Sequence, residues 1–168
     1  PEFTEMLTRL GKDSKIIFVS STSVYPDIEE SFNEEFIIKN PSNKMVLDAE
    51  NLVLNKTHII FRASGLFGGD RIAGRRLANK IVDFPKTKIN FVHRNDVINA
   101  TKFVIENDIN GTFNLCSKKH PTKKEIYTYN SKKYDFATPI FLDNDFYLNR
   151  IIDGSKIEQL GFEYKYND

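Results

Sequence analysis

The sequence has a single cysteine, Cys116, in 168 residues. A lone thiol closes no internal disulfide, which points to a reducing, cytoplasmic setting. Within Thr112-Phe-Asn-Leu-Cys116 it reads as a buried strand residue, not a nucleophile. No apolar run reaches the ~18 residues of a membrane span and the start carries no signal-peptide pattern, so no membrane partner is expected. Charge of one sign is also lacking: 24 Lys and Arg against 23 Asp and Glu leave +1, too weak a field to point to nucleic acid. Lysines do thicken between Lys118 and Lys133, with Tyr127, Tyr129 and Tyr134 among them, but Glu125 and Asp135 break the run. That segment reads as a solvated helix face. His93 and Asp96 stand three apart with no third ligand at metal-site spacing, so no metal is expected. Finally, no Gly-x-Gly-x-x-Gly turn follows any strand-like run. Gly65, Gly68 and Gly69 are wrongly spaced for one.

What is present is an ordinary globular composition, 40% apolar and 28% charged, on a length that suits one domain over residues 1–168. The most informative stretch is Lys15-Ile-Ile-Phe-Val-Ser-Ser-Thr-Ser-Val-Tyr25. Ile16 to Val19 form an apolar run without polar alternation, the pattern of a strand buried on both faces as in a parallel sheet. It stops in four hydroxyl residues, Ser20 to Ser23. Two readings stand: a polar turn closing a strand, or hydroxyls presented to a ligand at the carboxyl end of a strand, where open α/β sheets bind.

The remainder alternates helix and strand. Residues 2–10 suit a short amphipathic helix with Phe3, Met6, Leu7 and Leu10 on one face, ended by Gly11. An acidic loop, 27–35, precedes a helix predicted over 41–54 with Asn40 or Ser42 as cap. A strand follows at 58–62, a glycine loop at 63–70 and a helix at 71–82 weakened by Gly74. A strand at 89–93 leads to a helix capped by Asn95 or Asp96 and running to 106, with Val97, Ala100 and Val104 inward. A strand at 111–116, a capping box Thr122-Lys-Lys-Glu125, a brief strand at 150–152 and a helix capped by Asp153 complete the series. This alternation predicts an α/β layered fold with mainly parallel strands.

Phe18-Val-Ser-Ser-Thr-Ser-Val-Tyr25 resembles the strand-end signature of the extended short-chain dehydrogenases/reductases, the NAD-dependent epimerase/dehydratase group. Further resemblances follow in the family's order. Glu34 or Glu35 falls where an acid follows the loop, and Ala49-Glu50 is similar to the end of the catalytic helix. Phe61-Arg-Ala-Ser-Gly-Leu-Phe-Gly68 is similar to the Arg-x-x-x-x-Tyr-Gly loop. Phe91-Val-His-Arg-Asn-Asp-Val97, Gly111-Thr-Phe-Asn114 and Asp153-Gly-Ser-Lys-Ile-Glu-Gln-Leu-Gly-Phe162 match later segments.

The resemblance implies an NAD(P)-binding Rossmann-like fold, here the C-terminal part of a doubly wound parallel sheet. A small substrate-side lobe would come from about 63–93 and 117–168. It implies NAD or NADP in the intact protein. The glycine-rich half that holds the pyrophosphate is missing, so this chain alone is expected not to bind the dinucleotide tightly. Ser20, Ala63, Gly65 and Leu66 would lie near the cofactor. Ser21 takes the place of the catalytic hydroxyl, and Thr22, Tyr25 and Arg71 would face the substrate. For Arg71, Arg75 and Arg76, a solvated helix face is the competing reading. Arg62 would support the loop by bonding its backbone, and His93 would order the following turn.

The family's Tyr and Lys positions hold Ser42 and Val46, which cannot replace a phenol and the cation that lowers its pKa. Lys44 should point elsewhere. The expected ligand is nucleotide-sugar-like or another small carbonyl or hydroxyl compound. A non-catalytic dinucleotide sensor and a protein-interaction module are the alternatives. Lacking a fourth-strand neighbour, the 15–19 strand would be an apolar edge, covered by the rest of a longer protein, by a second copy or by another chain.

Overall fold

The buried apolar runs pair as parallel strands. The structure, a computed structural model, describes residues 2–9, 14–54, 58–142, 144 and 147–166. Its strands in chain order are β1 (Ile17–Ser21), β2 (Ser31–Phe32), β3 (Ile59–Ala63), β4 (Gly65–Phe67), β5 (Ile81–Val82), β6 (Phe91–His93), β7 (Gly111–Leu115), β8 (Ile140–Phe141) and β9 (Ile151–Ile152). The helices are α1 (Glu2–Thr8), α2 (Lys44–Val53), α3 (Arg94–Glu106), α4 (Lys123–Lys133) and α5 (Ser155–Gln159). The main sheet has the order β1-β3-β7, and two-stranded parallel pairs β2-β9, β4-β6 and β5-β8 surround it.

The central strand β3 is buried at every residue, as its unbroken Ile-Ile-Phe run requires. Alternate side chains divide between the faces. Ile59, Phe61 and Ala63 join Val92, Ala100, Val104, Phe113, Leu115 and Ile157 in the larger core, under α3 and α5. Arg62 points the other way, to Glu50 of α2. The result is a three-layer α/β sandwich. A second cluster of Val24, Tyr25, Phe32, Cys116 and Ile152 fills the space beyond the strand ends, with Phe36 and Val46 packed on it. Burying each such aromatic or aliphatic side chain contributes about 1.5–3 kcal/mol. Cys116 is a buried thiol, its pKa pushed up to about 11 by burial.

Several boundaries differ from the sequence prediction. β1 extends to Ser21, because Ser20 and Ser21 still pair in register with Arg62 and Ala63. α2 begins at Lys44, capped by Asn43, not Asn40 or Ser42. The amides of Ser42 and Asn43 are tied to the carbonyls of Tyr25 and Ser23, which delays the helix. The helix predicted over 71–82 is a 3₁₀ turn at Arg75–Leu77 followed by β5. Gly74 stops it with φ +89, and the Tyr127 ring lies 2.9 Å from where a Cβ would be. α3 is capped by His93, not Asn95 or Asp96. Gly154 holds the N-cap position of α5, although the Asp153 carboxylate accepts from the Ser155 amide at 2.9 Å. The capping box at Thr122 and Glu125 forms as predicted. The first helix ends at Thr8, and Leu10 and Gly11 lie outside the described residues.

Candidate functional site

The carboxyl ends of β1, β3 and β7 form a crest on which Ser21 lies level with Ala63, and Ala63 with Leu115. After Ser21 the chain turns in a 3₁₀ step, Thr22–Val24, with the Ser21 hydroxyl accepting from the Ser23 amide at 3.2 Å. Thr22 is buried. Beyond Ala63, β4 leaves the sheet to pair with β6, which exposes Gly65 and leaves Leu66 37% exposed. The Gly65 amide donates to the Asn90 carbonyl at 3.1 Å. A Cβ on Gly65 would come within 2.8 Å of the Phe91 ring, so this close strand crossing needs glycine.

The crest rests on a buried polar chain that crosses three strands. Ser20 points inward and donates to Glu50 Oε2 at 2.8 Å. Glu50 accepts from Arg62 Nε at 3.0 Å and is paired with its Nη2. Arg62 Nη1 donates to the Tyr25 hydroxyl at 3.0 Å. That hydroxyl lies 2.8 Å from Asn114 Oδ1 and 2.9 Å from the Asn33 carbonyl, and donates toward this pair. The Asn114 amide donates to Glu34 Oε1 at 2.6 Å, and its Nδ2 donates to the Asp153 carbonyl at 3.0 Å. Burial raises the pKa of the Tyr25 phenol, against the pull of Arg62, and raises that of Glu34. The phenol is a structural hydrogen-bonding group, not a base.

Each predicted site residue can now be placed. Ser21, Thr22 and Ala63 come together at the crest, with Gly65 and Leu66 beside it on β4. Ser20, expected near the cofactor, has its hydroxyl committed to Glu50 inside the fold. Tyr25, expected to face substrate, is fully enclosed, stacked on Phe32 with ring centroids 5.2 Å apart. Arg71 lies past the Gly68–Gly69 turn on the exposed surface. Arg62 does not bond the loop backbone. It joins Glu50 to Tyr25, an arrangement for which the sequence carries no local signal.

Ser42 stands just ahead of α2, its hydroxyl donating to the Ser23 carbonyl at 2.9 Å. Val46 is half-buried against the Tyr25 cluster. Lys44 turns to Asp48 at 2.7 Å on the surface. The head of α2 therefore meets the hydroxyl turn with a serine and an apolar side chain, and its lysine is engaged elsewhere.

The other flank is fastened by His93. Its Nδ1 accepts from the Asn95 amide at 3.2 Å, ordering the turn as the sequence suggests. Its ring stacks on Tyr166 at 4.2 Å, and the buried Asp96 carboxylate accepts from the amides of Lys165 and Tyr166. Gly68, at φ +107, has no room for a side chain: a Cβ would fall 2.1 Å from His93 Nε2.

Burial lowers the His93 pKa below 6.5, so the folded state favours the neutral ring that accepts this bond. The contribution is complete above 6.5 and lost as pH falls. Unfolding free energy is therefore expected to drop as pH goes from about 7 to about 5.5. His93→Gln should flatten that slope, and an identical slope in the variant would refute the assignment. His120 shifts in the same direction, so some slope will remain.

Among the described residues no group of three or more His, Cys, Asp or Glu is placed to hold a metal ion, and no helix is long and apolar enough to cross a membrane.

The parallel order β1-β3-β7 with helices on both faces is a Rossmann-like α/β arrangement, and solved NAD-dependent epimerases share it. UDP-glucuronic acid 4-epimerase from Bacillus cereus, solved in complex with NAD, superposes with a TM-score of 0.75 at 21% identity over 98% of this chain and 60% of its own. A functionally unknown conserved protein from Silicibacter pomeroyi gives 0.79 at 18% identity over 98% of this chain and 65% of its own. In sequence, the chain is similar to protein YeeZ of Escherichia coli K12, 34% identical over 163 aligned residues that cover 92% of this chain. The chain spans 59% of the length of that curated relative. No protein-family model matches it.

Proposed function

We propose that the intact protein binds NAD or NADP across the crest formed by β1 and β3, and acts on or senses a nucleotide-sugar-like or other small carbonyl or hydroxyl ligand there. The observation that carries this reading is the register that sets Ser21 level with Ala63 at the carboxyl ends of parallel strands, where open α/β sheets bind ligands. The residues present fit the reactive-ring end of a dinucleotide. Leu66 offers an exposed apolar contact, Gly65 leaves backbone accessible, and Ser21 offers a hydroxyl. A bound nicotinamide supplies hydride exchange. No pyrophosphate cradle stands among the described residues, and this chain alone should bind the dinucleotide at least about tenfold more weakly than the intact protein.

Proton transfer is the part for which this site is poorly equipped. A serine hydroxyl is far less acidic than a phenol, and Val46 brings no charge to shift it. We therefore favour binding without Tyr-dependent redox turnover, a sensor or a protein of altered chemistry in which Ser21 is the available hydroxyl. Among the described residues β1 has β3 as its one strand neighbour and Val19 is 52% exposed, which supports pairing with a further strand of the same protein or of a second copy.

Titration of the intact protein with NADPH and NADH should give a dissociation constant of about 1–100 μM for one of them. Failure to bind either would refute the reading and favour an interaction module. Turnover that survives Ser21→Ala would remove Ser21 from any catalytic role.

A further inference from the structure

The carboxyl end of β7 opens into a cavity of about 220 Å³, with β3 standing between it and β1. Its wall carries Ser117, Lys118, His120, Asp153, Ser155 and Glu158. Lys118 is paired with Glu158 at 3.0 Å, and Asp153 engages one oxygen with the Ser155 amide at 2.9 Å. His120 Nδ1 is buried and has no hydrogen-bond partner. Burial and the charge of Lys88 lower its pKa, so the ring is neutral near pH 7. With Lys118 offset by Glu158, Asp153 holds the one unpaired charge of the wall, while the Lys88 ammonium acts on His120 from outside it. Gly154 keeps the wall close to β7, since a Cβ there would lie 2.6 Å from the Cys116 carbonyl oxygen.

A buried polar atom without a partner is costly, and one on a residue that lines a cavity is normally satisfied by what enters it. The space is large enough for several waters or for one small polar molecule. With its proton on Nε2, the neutral His120 ring has an acceptor at Nδ1, and Asp153 adds the second oxygen of its carboxylate. A ligand rich in hydrogen-bond donors, with a positive charge, complements both.

We propose that this cavity is a binding site for a small amine or amino alcohol, whose N–H or O–H donates to His120 Nδ1 and whose ammonium group faces Asp153. The site is independent of the dinucleotide reading, because it lies at the β7 end of the crest and uses none of Ser21, Ala63, Gly65 or Leu66.

The test is a titration of the intact protein with ethanolamine, followed through the ring nitrogen resonances of His120, with sodium chloride and sodium acetate as matched controls. A saturable shift of Nδ1 is expected with a midpoint of about 1–10 mM, absent with either salt. Asp153→Asn keeps the acceptor for the Ser155 amide and removes the charge, and should weaken the midpoint about tenfold. Ser21→Ala should leave it unchanged. No saturable shift, which would mean that water alone satisfies His120, would overturn the proposal. So would an equal response to acetate, or a midpoint unmoved in both Asp153→Asn and Glu158→Gln with their melting temperatures preserved.

Discussion

Glu50→Ala is expected to lower the unfolding free energy by about 3–5 kcal/mol, which urea denaturation would measure as a fall in midpoint at unchanged slope. Glu50 is 3% exposed, and its carboxylate serves Arg62 and Ser20 together. Removing it leaves the Arg62 guanidinium without a counter-charge in the sheet's interior. It also frees the Ser20 hydroxyl at the base of the crest. The uncompensated charge, more than the lost pair, sets the magnitude. Glu50→Gln keeps an acceptor but gives up the charge, and should cost less, about 1–3 kcal/mol. A loss under about 1 kcal/mol for Glu50→Ala would mean that water reaches Arg62 readily, contrary to the burial described.

The second large effect is expected for Phe32→Ala, about 3–5 kcal/mol by the same measurement. Phe32 is fully buried, stacks on Tyr25 at 5.2 Å and meets Phe36 edge-on at 4.8 Å. It also sits on β2, whose pairing with β9 brings residues 31–32 beside 151–152. Truncation leaves a cavity next to Tyr25 and loosens the turn that carries Thr22. Faster proteolysis within residues 22–42 is expected alongside the lower stability. Phe36→Ala, at a half-buried position, should cost visibly less. Equal losses for the two would place the second cluster's weight elsewhere.

The central strand was readable because Ile59-Ile-Phe61 is an apolar run buried on both faces; β1, expected to be buried in the same way, instead stands half-buried at the sheet edge with Val19 52% exposed. The hydroxyl turn was readable for a related reason: an apolar run that ends in Ser20-Ser-Thr-Ser23 marks where a buried strand surfaces. The polar chain beneath it was not. Tyr25 and Asn114 are 89 positions apart, and no local pattern encodes that meeting. Glu50 and Arg62 were noticed separately, as the end of a helix and as a support of the loop, and only the fold shows that they face each other. The missing helix after the glycine loop has a tertiary cause, since Tyr127 occupies the space beside Gly74. The late start of α2 has its origin in the bonds that join Ser23 and Tyr25 to Ser42 and Asn43.

The parallel order β1-β3-β7 also constrains the time course of folding. Ile17 meets Ile59, and Ile59 meets Gly111, so both pairings close long loops, the kind of topology that folds in milliseconds to seconds instead of microseconds. During synthesis β3 emerges well before the strand that covers its second side. At ribosomal speeds the interval from Ile59 to Gly111 lasts roughly 3–10 s. For those seconds Ile59, Ile60 and Phe61 have at most one strand beside them, so this apolar segment stays incompletely covered while the chain is still being made.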